Sequence, residues 1–253
     1  MIEHPLIKVK FAILLGWTAA VIGGLGSVPV WADGMIPETS VVILNEADGE
    51  TSLSVTNSDS KPAVLLTTLQ NVPEDPETLL FVNPPASRVE PGKSQVVRFI
   101  LQSKTPLKTQ RLKRVILEGV PLKNKSSAEA TPTAKIGVGV RQNLPVIIHP
   151  KGLATNREPW TLLTWSLQGN QLTVRNDSPY VVRLAQEVKL LPAEQTVAMP
   201  RTYILAGEQL SMAVQGASTA SSATKVRLFP ATVYGYAVGH YEATLGAAAK
   251  SAP

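Results

Sequence analysis

Glu74, Asp75 and Glu77 form the densest run of metal-capable side chains in the chain. Carboxylates grouped this way would suit calcium, but a calcium loop needs further oxygen ligands and a turning glycine at set offsets, and this stretch lacks them. The trio reads as a solvated acidic loop. Beyond residue 32 the only histidines are His149 and His240, and neither sits in a metal-binding spacing. There is no cysteine, which excludes thiolate zinc sites and thiol redox chemistry. No nucleophile elbow, phosphate loop or dinucleotide fingerprint occurs. The reading is therefore a non-enzyme with no catalytic residue, no metal and no cofactor.

A different chemistry is written in Ile136, Val138 and Val140, which alternate with Lys135, Gly137, Gly139 and Arg141. Residues at i, i+2 and i+4 share one face of a strand, and β-branched groups suit a half-buried pleated surface. Fully burying the three would contribute about 5–9 kcal/mol before ordering costs. Gly137 and Gly139 leave the opposite face bare and admit close backbone approach. Periodicity leaves two destinations open for this comb, the core of its own domain or the core of another protein.

The elements that position the comb follow from the rest of the chain. Lys8 and Lys10 precede an apolar run from Phe11 to Val30, and the small residue Ala32, with Val30 two before it, fits a signal-peptidase site. The run is long enough for an uncleaved anchor, but Gly23, Gly24, Gly26 and Pro29 break its second half. Residues 1–32 are therefore read as a cleaved signal peptide, with export, no stable membrane insertion after cleavage, and Asp33 as the first mature residue. Losing Lys8, Lys10 and Glu3 takes the formal charge from +5 to +4. That mild excess, with sparse aromatics and no dense basic clusters, excludes a nucleic-acid footprint. Without disulfides, stability rests on packed cores.

Short apolar runs separated by turn signals fill the mature chain. The first half holds candidate strands at Thr39–Leu44, Thr51–Thr56, Ala63–Gln70, Ser94–Leu101, Arg111–Gly119 and Lys135–His149, with turns at Asp48-Gly49, Asn57-Ser58-Asp59 and Pro91-Gly92. The second half holds Trp160–Leu167, Gln171–Asn176, Val181–Leu191, Thr202–Leu205, Gln209–Val214 and Lys225–Tyr234, with a tight hairpin at Gly169-Asn170. This density predicts an all-β chain of two immunoglobulin-like sandwiches. Pro150, Lys151 and Gly152 form the expected hinge, giving domains over 33–150 and 151–246 and a frayed tail over 247–253. The polar stretch from Lys123 to Thr133 leads into the comb and is expected to be a solvated loop.

Several of these segments together resemble the periplasmic chaperones of the chaperone/usher pilus pathway. The resemblance rests on Asn83-Pro84-Pro85, on Arg88-Val89-Glu90-Pro91-Gly92-Lys93-Ser94 with the following Val96-Val97-Arg98-Phe99, on Ile136 to Pro150, and on Asn176-Asp177-Ser178-Pro179-Tyr180. It implies a periplasmic protein whose two domains meet at an angle around a cleft. Such a protein binds pilus or fimbrial subunits by donor-strand complementation, a form of strand addition, keeps them from aggregating and delivers them to an outer-membrane usher. Ile136, Val138 and Val140 would be the donor-strand residues. A self-capping homodimer of the free chaperone is compatible with it.

The chain also departs from that family, as a divergent branch. Pro145 stands where relatives place a basic residue for the subunit's terminal carboxylate, and Ser40 or Val41 where a second is expected. Arg141 and Asn143 share that strand face and are the candidate replacements, with a solvated Arg141 as the plain alternative. Gln110 and His149 stand where an interdomain ion pair is usual, so a neutral interdomain contact is expected. The rival function is a structural or adhesive two-domain surface protein. The short stretch from Asp33 to Glu38, with Pro37 inside it, lacks the alternating extension such a subunit would need.

Overall fold

The computed structural model describes residues 34–122, 140–215, 222–232 and 238–246. Strand β3 (Glu50–Asn57) shows the governing pattern: Leu53, Val55 and Asn57 are buried while alternate residues face outward. It lies in a four-stranded sheet with β1 (Met35–Pro37), β7 (Ser94–Leu101) and β5 (Leu80–Asn83), in the order β1-β3-β7-β5. The facing sheet has the order β2-β9-β8-β4-β6, built from β2 (Val42–Asn45), β9 (Arg141–His149), β8 (Arg111–Pro121), β4 (Ala63–Asn71) and β6 (Ala86–Val89). All strand pairings in these two sheets are antiparallel except β2 with β9. Leu53, Val55, Val97 and Phe99 from one sheet meet Leu65, Val115, Leu117, Val146 and Ile148 from the other.

The turn signals sit where the chain reverses. Gly49 and Gly92 adopt positive φ of 71° and 68°, which glycine reaches without Cβ strain. Three strands of this half, β1, β5 and β6, are absent from the sequence reading. The last two flank Pro84 and Pro85, which read as a break. In the fold they link β5 of one sheet to β6 of the other, a crossing where no amide hydrogen is needed for a ladder.

The second half contains β10 (Thr164–Gln168), β11 (Gln171–Asn176), β12 (Val182–Leu191), β13 (Gln195–Ala198), β14 (Tyr203–Ile204), β15 (Glu208–Ala213), β16 (Lys225–Ala231) and β17 (Tyr241–Gly246). Trp160–Leu167 is not one strand: Pro159–Leu162 forms a 3-10 turn with Pro159 at its start, and β10 begins at Thr164. Gly169 and Asn170 are the two residues between the paired Gln168 and Gln171. β17 pairs antiparallel with β16 and parallel with β10, joining the two layers along one side. Trp165, Leu172 and Val174 pack against Leu184, Val188, Leu190, Val226 and Leu228 between them.

Of the acidic loop, Glu74 and Glu77 are exposed, but Asp75 is buried, contrary to the sequence reading. Asp75 is 5% exposed and accepts hydrogen bonds from the Arg111 guanidinium, while Lys113, itself 1% exposed, lies 3.0 Å from Asp75 Oδ1 and donates to the Asp75 carbonyl at 2.7 Å. Burial pushes the Asp75 carboxyl up, but the hydrogen bonds and charges of Arg111 and Lys113 outweigh it and hold it below the usual carboxylate value. Local sequence could not show this, because Arg111 and Lys113 lie more than thirty residues away and reach the loop only through the β4–β8 register, which sets Asn71 opposite Lys113.

A carboxyl whose folded value is depressed stabilises fully above its unfolded value and loses that contribution as pH falls through the folded one. The Asp75 contribution is therefore expected to hold down to about pH 4 and to fade below it. Asp75→Ala, which strands a buried lysine, should cost about 3–5 kcal/mol in urea unfolding at neutral pH. The cost should shrink as pH falls below about 4, and a loss that does not change with pH would contradict the cluster's role.

Candidate functional site

Five consecutive residues of β9, Leu144, Pro145, Val146, Ile147 and Ile148, are buried. Alternation is lost because two cores claim the strand. Leu144, Val146 and Ile148 enter the core of the first sandwich, whereas Ile147 joins Val41, Val72, Leu112 and Val181 in a separate cluster, with Ile43, Tyr203 and Leu205 packed against it. Val181, Tyr203 and Leu205 come from the second sandwich, so this cluster is the apolar contact between the two.

The N-terminal half of β9 is different. β8 pairs with it from Arg141 to Ile148, but β2 pairs with its other side only from Val146 to His149. From Arg141 to Pro145 that side has no strand partner among the described residues. Beside it runs a groove lined by Ile36, Pro37, Glu38, Thr39, Val41 and Gln142. An unpaired strand edge next to a partly apolar groove is a template for another strand. Of the comb, Ile136 and Val138 lie outside the described residues. Val140 is 37% exposed and lies beside Gly34, where an added Cβ would be in ordinary van der Waals contact with the valine side chain.

Arg141 carries an exposed side chain 4.0 Å from Glu118, its cross-strand neighbour. Asn143 is engaged by Arg114, whose Nε donates to Asn143 Oδ1 at 2.6 Å and whose Nη2 donates to the Asn143 carbonyl at 2.8 Å. Arg114 stands opposite Pro145 and on the same face. The sequence reading passed over Arg114. Its signal was that β8 is apolar on both faces, at Leu112 and Ile116 as well as Val115 and Leu117, so its outer face had to be covered by something.

Gln110 and His149 are in contact. The His149 Nε2 lies 2.9 Å from the Leu153 carbonyl, so it carries the proton and donates. The Nδ1 then accepts from Gln110 Nε2 at 2.9 Å, which turns Gln110 Oε1 toward the amide of Val181, an N–H donor 2.9 Å away. The Gln110 backbone N–H in turn donates to the Pro179 carbonyl at 2.8 Å. Pro179 and Val181 are held for this by Asn176, fully buried, whose Nδ2 donates to the Tyr180 and Leu205 carbonyls and whose Oδ1 accepts from Ser178. One glutamine thus reads the backbone of a turn that one asparagine has shaped.

A charged tie lies beside the neutral one. The acidic-loop residue Glu74 pairs with Arg201, which also pairs with Glu208, and Tyr203 donates its hydroxyl to Glu74 at 2.8 Å. Burial and the Glu74 carboxylate push the Tyr203 phenol up to about 12, which keeps it a donor.

Residues 34–154 match the family described as pili and flagellar-assembly chaperone, PapD N-terminal domain, and residues 158–240 match the PapD C-terminal domain family. The uncharacterized fimbrial chaperone YhcA of Escherichia coli K12 is 41% identical over 211 residues, covering 83% of this chain and 90% of the relative. The chaperone protein FimB/FhaD of Bordetella pertussis is 31% identical over 161 residues, covering 56% of this chain and 62% of the relative. Among solved structures, the Salmonella enterica SafA pilin in complex with the SafB chaperone matches with a TM-score of 0.68 at 19% identity, over 85% of this chain and 98% of the other. The Escherichia coli chaperone DraB matches with a TM-score of 0.66 at 19% identity, over 84% of this chain and 98% of the other.

Truncating Gln110 to alanine leaves the Val181 N–H and the His149 Nδ1 without their partner. With Val181 buried, Gln110→Ala is expected to destabilise by about 1–3 kcal/mol, read as a lower urea midpoint with an unchanged slope. A midpoint equal to wild type would show that the bridge contributes nothing to stability.

Proposed function

Because this chain belongs to the family of pili assembly chaperones, we propose that it captures pilus or fimbrial subunits in the periplasm by lending them a strand. The lent strand is the segment from Ile136 into β9, whose alternating valines and isoleucine fill the space left by a strand the subunit lacks. The observation that carries this reading is the half-paired β9: firmly held from Val146 to His149 and, among the described residues, open along one side from Arg141 to Pro145. Main-chain hydrogen bonds to that open side give affinity, and the comb gives specificity through alternate side chains. Capture also hides the subunit's own unpaired edge, which would otherwise aggregate. That both matched domains are assembly-chaperone domains sets aside the reading as a surface polymer subunit.

Within the same proposal, residues 1–32 are a cleaved export signal. The domains are 33–150 and 151–246, with Gln110 and His149 at their contact, and the loaded chaperone hands its subunit to an outer-membrane usher. Arg141, exposed at the rim of the same edge, and Asn143, held by Arg114, are the candidate anchor for the subunit's terminal carboxylate. No step in capture needs a bond to be made or broken, so neither a catalytic group nor a cofactor has a role.

Substituting Val138→Asp or Val140→Asp puts a charge where the comb would be buried. Either change should abolish co-purification of the full chain with a co-expressed pilin-type subunit. The thermal midpoint of the free chaperone should shift little. Undiminished co-purification with both variants would overturn the donor-strand assignment.

A further inference from the structure

His149 ends β9 and ties three parts of the chain together: the first sandwich, the connecting segment and the second sandwich. Its Nε2 donates to the Leu153 carbonyl at 2.9 Å, and the next carbonyl, that of Ala154, accepts from the Tyr180 hydroxyl at 2.7 Å. Its Nδ1 accepts from Gln110 Nε2, and Gln110 Oε1 accepts from the Val181 N–H, each at 2.9 Å. Gln110 is 6% exposed and Val181 1%, so water has little room to replace either partner of that last bond.

Every proton in this chain of bonds is accounted for. A glutamine side chain has one acceptor end and one donor end. With the acceptor end committed to Val181, the donor end must face His149, and Nδ1 must carry no proton. A second proton on the ring sets two donors against each other. Turning the glutamine over relieves that clash but points its NH2 at the Val181 N–H. Either way one bond across the junction is lost and a buried donor is stranded.

The neighbouring groups offer the second proton no compensation, since no carboxylate bonds the ring among the described residues. On β2, Asn45 is neutral and donates to Asp48, while the Glu46 carboxylate accepts from the backbone amides of Leu107 and Lys151. On β8, Arg111 beside Gln110 is turned to Asp75 and Glu77. The Lys151 side chain is exposed, and beyond it Thr155 and Asn156 are neutral; with Ile43, Asn45 and Ile147 they line a cavity of about 90 Å³ against His149 and Gln110. The ring itself is only half-buried, so it can exchange a proton with solvent.

The geometry points to a proton-sensitive junction: the two sandwiches are locked while His149 carries a single proton, and the lock opens when the ring gains a second. This is a property of the free chain and does not depend on subunit capture. The charged tie beside it behaves differently. Partial burial pushes the Glu74 carboxyl up, but the Tyr203 hydroxyl and Arg201 outweigh it and hold it below the usual carboxylate value. That tie therefore persists down to about pH 4, whereas histidine side chains ordinarily change charge between about pH 5 and 8. On acidification the junction loses its neutral tie first and pivots on the charged one.

Because the chain has no cysteine, a dye pair can be placed at Ser52→Cys in the first sandwich and Gln209→Cys in the second, both exposed positions. Single-molecule energy transfer between about pH 8 and pH 5 then reads the junction directly. In the otherwise wild-type chain, the fraction of molecules with an altered interdomain distance should rise at least about fivefold across that range. His149→Gln keeps a donor for Leu153 and cannot gain a proton, so its distribution should not change with pH. Gln110→Glu offers acceptors to both Val181 and a doubly protonated His149, so its response should run the opposite way, with the junction closing as pH falls. If His149→Gln does not fold, the sign of the Gln110→Glu response decides alone. A wild-type distribution constant over pH, a pH response kept by His149→Gln, or a Gln110→Glu response of wild-type sign each overturns the proposal.

Discussion

One strand, Arg141–His149, is claimed from two sides, and the rest of the molecule is arranged around that constraint. Leu144, Val146 and Ile148 complete the first sandwich while Ile147 faces the second, so neither face of this segment is free to slip. A one-residue shift in register would exchange the two sets, placing the sandwich residues in the junction and Ile147 in the sandwich. The strand's C-terminal half is therefore fixed, and the cost of ordering it is met within the chaperone's own fold. Among the described residues its N-terminal half lacks a strand partner on one side, and a rigid base beneath an open edge is the arrangement that strand lending requires. Val140 has the same parity as Leu144, Val146 and Ile148, so the comb continues the line of a face that already knows how to fill a core.

The junction between the domains is built from two kinds of tie. The neutral one, running from Leu153 through His149 and Gln110 to Val181, has a defined direction: each donor has one acceptor, and the histidine proton on Nε2 sets the orientation of the glutamine. The charged one joins Glu74 to Arg201 and Tyr203, and the neighbouring Asp75, Arg111 and Lys113 pin the loop that carries Glu74. Buried ion pairs are weak sources of net stability but strict about geometry once formed.

The parts of the fold that follow from neighbouring residues were legible in the sequence. Alternation exposes strands such as Glu50–Asn57, and glycine after aspartate or proline marks turns that need positive φ at Gly49 and Gly92. The comb at Ile136, Val138 and Val140 stands out for the same reason, since a period of two is a property of one strand alone. Legibility failed wherever a residue's meaning lies in a distant partner. Pro84 and Pro85 look like a break and are a sheet crossing. Glu74 and Asp75 look solvated because their partners, Arg201 and Arg111, are 127 and 36 residues away. Arg114 is inconspicuous until Asn143 is set beside it.

By itself, then, the sequence determined that the chain is all-β, that it holds no cysteine, and that one segment carries a one-sided apolar comb, because composition and local periodicity depend on residues adjacent along the backbone. Tertiary structure decided which charges are paired and, among the described residues, which side of β9 stays open. Those outcomes depend on sheet register and on how two sandwiches meet, and a chain of covalent neighbours does not encode register until its strands have found each other.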